Sequence, residues 1–225
     1  MALLLAIETT TKNCSVALFD DNNLVAVYER HAEKYIHSEQ LTAFIYSLMD
    51  DHNIALKQIA GVVLSKGPGS YTGLRIGSST AQGLCYALDI PLIAVSTLRA
   101  MAYGISESED YKFYCPMIDA RRMEVFAAIY DRKNNQLREV RSDIVDANTY
   151  SDFLESKVLF FGDGAAKCRS IIDSKNAFFI DGIFPSARYF GKIAFSKYLA
   201  KDFEDVAYFE PYYLKNFIAG LKRKN

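Results

Sequence analysis

Apolar and polar positions fall into blocks that recur along the chain. LLLAIETTTKNCSVALFD, Leu3 to Asp20, reads as strand, hydroxyl-rich turn and strand, with Glu8 closing the first apolar run and Asp20 following the second. FYCPMIDARRMEVFAAIYD, Phe113 to Asp131, has the same plan, and Asp119 stands as far from Asp131 as Glu8 does from Asp20. A second pair of blocks follows the first: GVVLSKGPGS, Gly61 to Ser70, is a β-rich run leading through GxG into a helical stretch, and KVLFFGDGAAK, Lys157 to Lys167, repeats it with Gly162 and Gly164. Matching order and spacing predict two related α/β lobes produced by duplication.

Helical periodicity fills the rest. Leu41, Phe44, Ile45, Leu48 and Met49 recur at helical intervals within SEQLTAFIYSLMDDHNI, and PSARYFGKIAFSKYLA is helical with Pro185 suited to a first turn. The polar stretch from Tyr103 to Tyr111 predicts the lobe boundary, giving a first lobe of residues 1–103 and a second of 104–225 that ends in the PSARYFGKIAFSKYLA helix. VAYFEPYYLKNF predicts an extended tail packed back on the body, and LKRKN a frayed basic end.

The glycine-dense SKGPGSYTGLRIG fits neither phosphate-binding template. Gly67, Gly69 and Gly73 give GxGxxxG, one residue longer than the dinucleotide fingerprint, and Leu74 and Arg75 stand where a P-loop needs lysine and a hydroxyl. The stretch instead predicts a turn at Gly67-Pro68-Gly69 and a helix from about Ser70, with Gly73, Gly77 and Ala81 on one face. Glycine weakens a helix by roughly 1 kcal/mol relative to alanine, so close tertiary or partner contacts must offset it. A phosphate at the helix start remains physically open.

Composition narrows the class. The 225 residues are 50% hydrophobic, enough for a sizeable core, and 26 basic against 27 acidic residues leave no global field that would draw nucleic acid or anionic lipid. The four cysteines, Cys14, Cys85, Cys115 and Cys168, are scattered without CxxC spacing, which predicts buried thiols in a reducing compartment. MALLLAIE lacks a basic n-region, Glu8 ends it early, and no segment is long enough to cross a membrane, so a cytoplasmic protein is expected.

Glu8-Thr9-Thr10-Thr11 supports two readings: a magnesium or phosphate site in which threonine hydroxyls and turn amides are donors, or a hairpin closed by those hydroxyls beside an exposed glutamate. Asp119 with Arg121 predicts a turn-stabilising pair, joined by Glu124 as a salt link. The three histidines, His31, His37 and His52, give no metal pair, because Leu41 stands four residues after His37. No nucleophile motif is visible, so no catalytic residue is assigned.

In this order LLLAIETTTKNCSVALFD, His37-Ser38-Glu39-Gln40, SKGPGSYTGLRIGSSTAQGL, IPLIAVSTL, IDARRMEVFAAIY and FEPYYLKN resemble the TsaB (YeaZ) family over nearly the whole chain. The resemblance implies an α/β, two-lobed actin, hexokinase and Hsp70-like (ASKHA) fold with duplicated ribonuclease-H-like lobes. It implies a non-catalytic subunit of the bacterial machinery that makes threonylcarbamoyladenosine in tRNA. Its expected partners are a TsaD-like catalytic subunit, a TsaE-like P-loop ATPase and, through them, tRNA, with a homodimer as the alternative assembly. The superfamily begins its first hairpin with an aspartate that handles magnesium and phosphate, and this chain has Glu8; the TsaD-like sister carries HxxxH, and this chain has only His37. The resemblance also implies a partner interface on two helices, at His37, Leu41, Phe44, Ile45, Leu48, Tyr71, Gly73, Arg75, Gly77 and Ala81, with Gly77→Leu expected to weaken pairing and spare the fold. A degenerate nucleotide site would use Glu8, Thr9, Thr10, Asp119, Gly162 and Gly164. No cofactor is expected to be tightly bound, and ATP or ADP with magnesium would sit at the complex interface. An ATP-dependent small-molecule kinase is the alternative, and a metallohydrolase is disfavoured by the histidine count.

Overall fold

The computed structural model describes residues 1–107 and 110–215. β1 (Leu3–Glu8), β2 (Asn13–Asp20) and β3 (Asn23–His31) form an antiparallel meander. β4 (Ile59–Ser65) and β5 (Leu92–Val95) extend it in parallel on the β1 side, giving the order β3-β2-β1-β4-β5. The second sheet repeats this connectivity with β6 (Phe113–Asp119), β7 (Glu124–Asp131), β8 (Gln136–Ile144), β9 (Val158–Phe161) and β10 (Ala177–Ile180), in the order β10-β9-β6-β7-β8. Each half of the chain thus builds the same five-stranded mixed sheet.

Strand alternation divides the first sheet into two apolar faces. Leu5 and Ile7 of β1 pack with Leu41, Ile45 and Leu48 of α1 (His37–Asp51) and with Ala81 and Cys85 of α2 (Tyr71–Leu88). Leu4 and Ala6 face the other way, onto Ala187, Phe190 and Ala194. Ala194 belongs to α4 (Gly191–Leu199), so the helix of PSARYFGKIAFSKYLA covers the first sheet and not the second, a correction to the expected lobe assignment. Conversely, α3 (Thr97–Ser106) sends Leu98, Met101, Ala102 and Ile105 onto Tyr114, Ile118 and Phe161 of the second sheet. It also runs as a helix through Tyr103, into the polar stretch expected to mark the lobe boundary. The two lobes exchange helices because each sheet leaves one apolar face that its own segment does not cover.

The tail runs along the first lobe and reaches the second. Glu204 bridges Leu92, Gln82 Nε2 donates to the Val206 carbonyl at 2.8 Å, and Tyr212 N donates to the Lys66 carbonyl at 2.7 Å. Lys215 then pairs with Glu124 of β7. The LKRKN end lies outside the described residues. All four cysteines are buried and free. Among the described residues no helix is long and apolar enough to cross a membrane.

Candidate functional site

The turn between β1 and β2 sits at the junction of α1, α2 and the interlobe cleft. Glu8 ends β1 and is fully buried, which overturns the exposed-glutamate reading. Its Oε1 accepts both the Thr10 N–H, at 2.6 Å, and the Thr10 hydroxyl, at 2.5 Å. Burial pushes the carboxyl up to about 7, against the lowering effect of the Thr10 bonds and the facing Ser65 hydroxyl. Neither Glu8 Oε2 nor Ser65 Oγ completes a hydrogen bond among the described residues. Thr9 and Thr10 are also buried, and the Thr9 hydroxyl donates to the Gly73 carbonyl at 2.8 Å. The Thr9 hydroxyl and the Thr10 amide and hydroxyl, among the donors proposed for a phosphate, are therefore used within the chain.

The glycine stripe of α2 serves this same turn. A Cβ at Gly73 would lie 2.1 Å from the Thr9 carbonyl oxygen, and one at Gly77 would lie 2.3 Å from the Thr9 hydroxyl. Ser70 caps the helix, accepting from Gly73 N at 3.3 Å, while its own N–H donates to the Thr10 carbonyl at 2.7 Å. The backbone approach expected with a partner is thus made to the protein's own hairpin. Gly73, Gly77 and Ala81 are buried in the isolated chain, and Gly77→Leu would strike Thr9 and disrupt the fold.

Most of the expected α1 positions are likewise internal. His37 is buried, its Nε2 lies 2.7 Å from the Thr11 carbonyl, and burial lowers the imidazole below its ordinary value. Leu41, Ile45 and Leu48 belong to the core beneath α1, whereas Phe44 is half-buried. Tyr71 is half-buried against Tyr213, and the exposed Arg75 guanidinium lies over the Tyr71 ring at 4.7 Å. What α1 and α2 turn outward is an apolar groove of about 240 Å³ between them, lined by Ile45, Tyr46, Met49, Leu56, Thr80 and Leu84. Tyr46 is 70% exposed and Tyr86 of α2 is 86% exposed. The sequence reading missed both tyrosines, and the signal was their position off the apolar stripe, where large aromatic rings face water.

The second hairpin is organised by Lys167. Its ammonium pairs with Asp119 and donates to the carbonyls of Arg122, at 2.8 Å, and Glu124, at 2.7 Å. Asp119 accepts the Arg121 backbone N–H at 2.9 Å, and Glu124 pairs with Lys215, so the expected Arg121 to Glu124 salt link is not formed. Arg121 and Arg122 both adopt left-handed backbone, with φ of 69° and 50°, because the tight turn demands it. Gly162, at φ 107°, and Gly164 let the loop after β9 press against β6: a Cβ would meet the Met117 carbonyl oxygen at 2.2 Å and the Ile118 carbonyl carbon at 2.9 Å. Asp163 between them accepts the Asp119 N–H at 3.1 Å, and burial pushes its carboxyl up to about 6.

The two hairpins face each other across a cleft of about 370 Å³ lined by Thr10, Ser70, Tyr71, Asp119, Arg121 and Tyr213. It brings Thr10 and Asp119 together, with Asp163 alongside, while Glu8 and Thr9 lie beneath its wall. Among the described residues no three histidine, cysteine, aspartate or glutamate side chains gather to hold a metal ion.

Two mixed sheets of identical connectivity, with their first hairpins facing across a cleft, define the two-lobed actin, hexokinase and Hsp70-like class. The activator of 2-hydroxyisocaproyl-CoA dehydratase from Clostridium difficile, solved with ADPNP, shares the fold at a TM-score of 0.51 with 11% identity, covering 91% of this chain and 98% of its own. A family model described as TsaD, tRNA N6-adenosine threonylcarbamoyltransferase, matches residues 30–208. The tRNA threonylcarbamoyladenosine biosynthesis protein TsaB of Bacillus subtilis is 33% identical over 177 residues, 76% of this chain and 75% of that protein. Its Haemophilus influenzae counterpart is 29% identical over 97% of this chain and 96% of its own length. YeaZ from Pseudomonas aeruginosa superposes with a TM-score of 0.78 at 23% identity, covering 95% of this chain and all (100%) of that one. The chain belongs to the TsaB (YeaZ) family.

Proposed function

We propose that this chain is the non-catalytic partner subunit of the machinery that makes threonylcarbamoyladenosine in tRNA, and that it docks a TsaD-like catalytic subunit on the outward face of α1 and α2. The observation that carries the reading is the apolar groove between α1 and α2, with the exposed Tyr46 in its lining and the exposed Tyr86 further along α2, since contiguous apolar surface left in water marks protein interaction sites. The internal use of Glu8, Thr9 and Thr10 supports an accessory role over the kinase alternative, which would need those groups free. A TsaE-like P-loop ATPase joins transiently, tRNA is held by the partners, and ATP or ADP with magnesium sits at the complex interface, with none tightly bound to this chain. Without its partner the same groove supports a homodimer, and the site of action is the cytoplasm.

The test mixes this chain with the TsaD-like subunit of the same organism and follows mass by light scattering on a sizing column, with and without ATP. A heterodimer that Tyr46→Glu and Tyr86→Glu each weaken by more than about tenfold, with unchanged melting of the isolated chain, is the expected result. Full affinity in both variants would refute the assignment of the surface. Magnesium-dependent turnover of ATP by the isolated chain would favour the kinase.

A further inference from the structure

We propose that residues 204–215 form a strap across the mouth of the interlobe cleft, which ties its two walls together and sets how far they part. The strap is fixed first to the lobe of β1–β5. Glu204 N donates to the Leu92 carbonyl at 2.9 Å, Gln82 Nε2 donates to the carbonyls of Val206, at 2.8 Å, and Phe209, at 3.3 Å, and Tyr212 N donates to the Lys66 carbonyl at 2.7 Å. It lies directly on the glycine-rich turn, since a Cβ at Gly67 would come within 2.9 Å of the Tyr212 carbonyl oxygen. Tyr213 then sets its ring 5.0 Å from that of Tyr71, and its hydroxyl accepts from the Arg75 guanidinium.

The next two residues belong to the other wall. Leu214 packs against the cluster that contains Ile118 and Phe126 of the second sheet, and Lys215 pairs with Glu124, its ammonium 5.8 Å from the centroid of the Phe126 ring. The chain thus passes from one lobe to the other between Tyr213 and Leu214, whose Cα atoms a trans peptide holds about 3.8 Å apart. While both grips last, the walls at Tyr71 and Phe126 cannot separate. Tyr71, Phe126, Tyr213, Leu214 and Lys215 all line the cleft, whereas among the described residues α3 and α4 contribute none of its lining. The exchanged helices therefore join the lobes elsewhere, and the strap acts at this rim. Its two grips are unequal. Four hydrogen bonds hold it to the first lobe, against one half-buried leucine and one ion pair, with a lysine 42% exposed, on the second. Release starts at Leu214.

Nitroxide labels at Ser38→Cys, exposed at the start of α1, and Ile144→Cys, 76% exposed on β8, report the distance between the lobes by double electron–electron resonance, the four native thiols being buried. The labelled parent is expected to give one narrow distribution. Leu214→Asp should move it to longer and broader distances, because a carboxylate is not accommodated in that apolar contact. Leu214→Ala combined with Lys215→Ala removes both contacts with the second lobe without placing a charge there, and should raise the ratio of open to strapped molecules roughly tenfold. It decides the matter if Leu214→Asp does not fold. Distances unchanged from the parent in both variants overturn the proposal. So does an equal change in Tyr208→Ala, whose ring is 84% exposed, since loosening would then follow from any alteration of the tail.

Discussion

Glu8→Gln should remove a defined piece of the pH dependence of folding. The buried Glu8 carboxyl holds its proton up to about 7, whereas in the unfolded chain it releases it near its ordinary 4.5. Between those values the native state binds the extra proton, so stability from this group is fully present below 4.5, falls as pH rises, and is gone above about 7. At about 1.4 kcal/mol per pH unit, the gap from 4.5 to about 7 corresponds to about 3 kcal/mol. Cys14 is the titratable side chain coupled to Glu8; burial pushes it up to about 12, so it stays neutral throughout this window. Asp163 is also raised, to about 6, and contributes in the same direction, but it is present in both proteins and cancels in the difference. Urea unfolding of wild type and Glu8→Gln at intervals across this range measures the effect. The stability of the wild type relative to the variant should fall by about 3 kcal/mol from the acid to the neutral end and then level off. Parallel curves for the two proteins would show that Glu8 is ionised in the native state and that the burial argument is wrong.

Further outcomes follow from single contacts. Gly73→Ala places a Cβ 2.1 Å from the Thr9 carbonyl oxygen, and should destabilise by about 1–3 kcal/mol or more in urea unfolding even though alanine is the better helix former. Asp143 takes two bonds of 2.7 Å from Arg138 and one of 3.0 Å from the buried Tyr150 hydroxyl, so Asp143→Ala strands a largely buried guanidinium and should lower stability by about 3–5 kcal/mol. Lys215→Ala, by contrast, breaks an ion pair whose lysine is 42% exposed, and should change the urea midpoint by less than about 1 kcal/mol.

The hairpins, the strand-glycine-helix blocks and the duplication were legible because each is local. Strand alternation, a hydroxyl-rich turn and a Ser70 cap all act within a few residues, and the observed β1, β2, β6, β7 and α2 begin and end close to those signals. The expectation of two related lobes followed from their order, and that of the fold class from the family resemblance. What the sequence left hidden is directional. A stripe of small residues at Gly73, Gly77 and Ala81 declares that something comes close, yet nothing in the spacing tells a partner helix from Thr9 of the same chain. An acid at a strand end declares a carboxyl, and only the packing of Ser65 and Thr10 around it decides that Glu8 is buried and used internally. The charge partners of Asp119 and Glu124 are Lys167 and Lys215, each more than forty residues away in sequence, beyond the reach of pair rules for neighbours.

The exchanged helices make the lobes interdependent, and this has a measurable consequence. The face of the first sheet formed by Leu4, Ala6, Val63 and Ile93 is covered by Ala187, Phe190 and Ala194, which come from the far end of the chain. A fragment of residues 1–107 would carry that face uncovered, along with the apolar stripe of α3, whose sheet is then missing. Phe190, Leu98 and Met101 are all at most 1% exposed in the whole chain, and fully burying a side chain of this kind contributes about 1.5–3 kcal/mol each. Together these three contributions come to about 4.5–9 kcal/mol, comparable to the whole of a typical net stability of about 5–15 kcal/mol. The fragment should therefore lack a cooperative urea transition, and adding residues 108–225 should restore one by complementation. A fragment that unfolds cooperatively by itself would mean that α4 merely decorates a self-sufficient lobe. Cooperative restoration only in the mixture would mean that the duplicated halves fold as one unit, with the facing hairpins held at a fixed separation by α3 and α4.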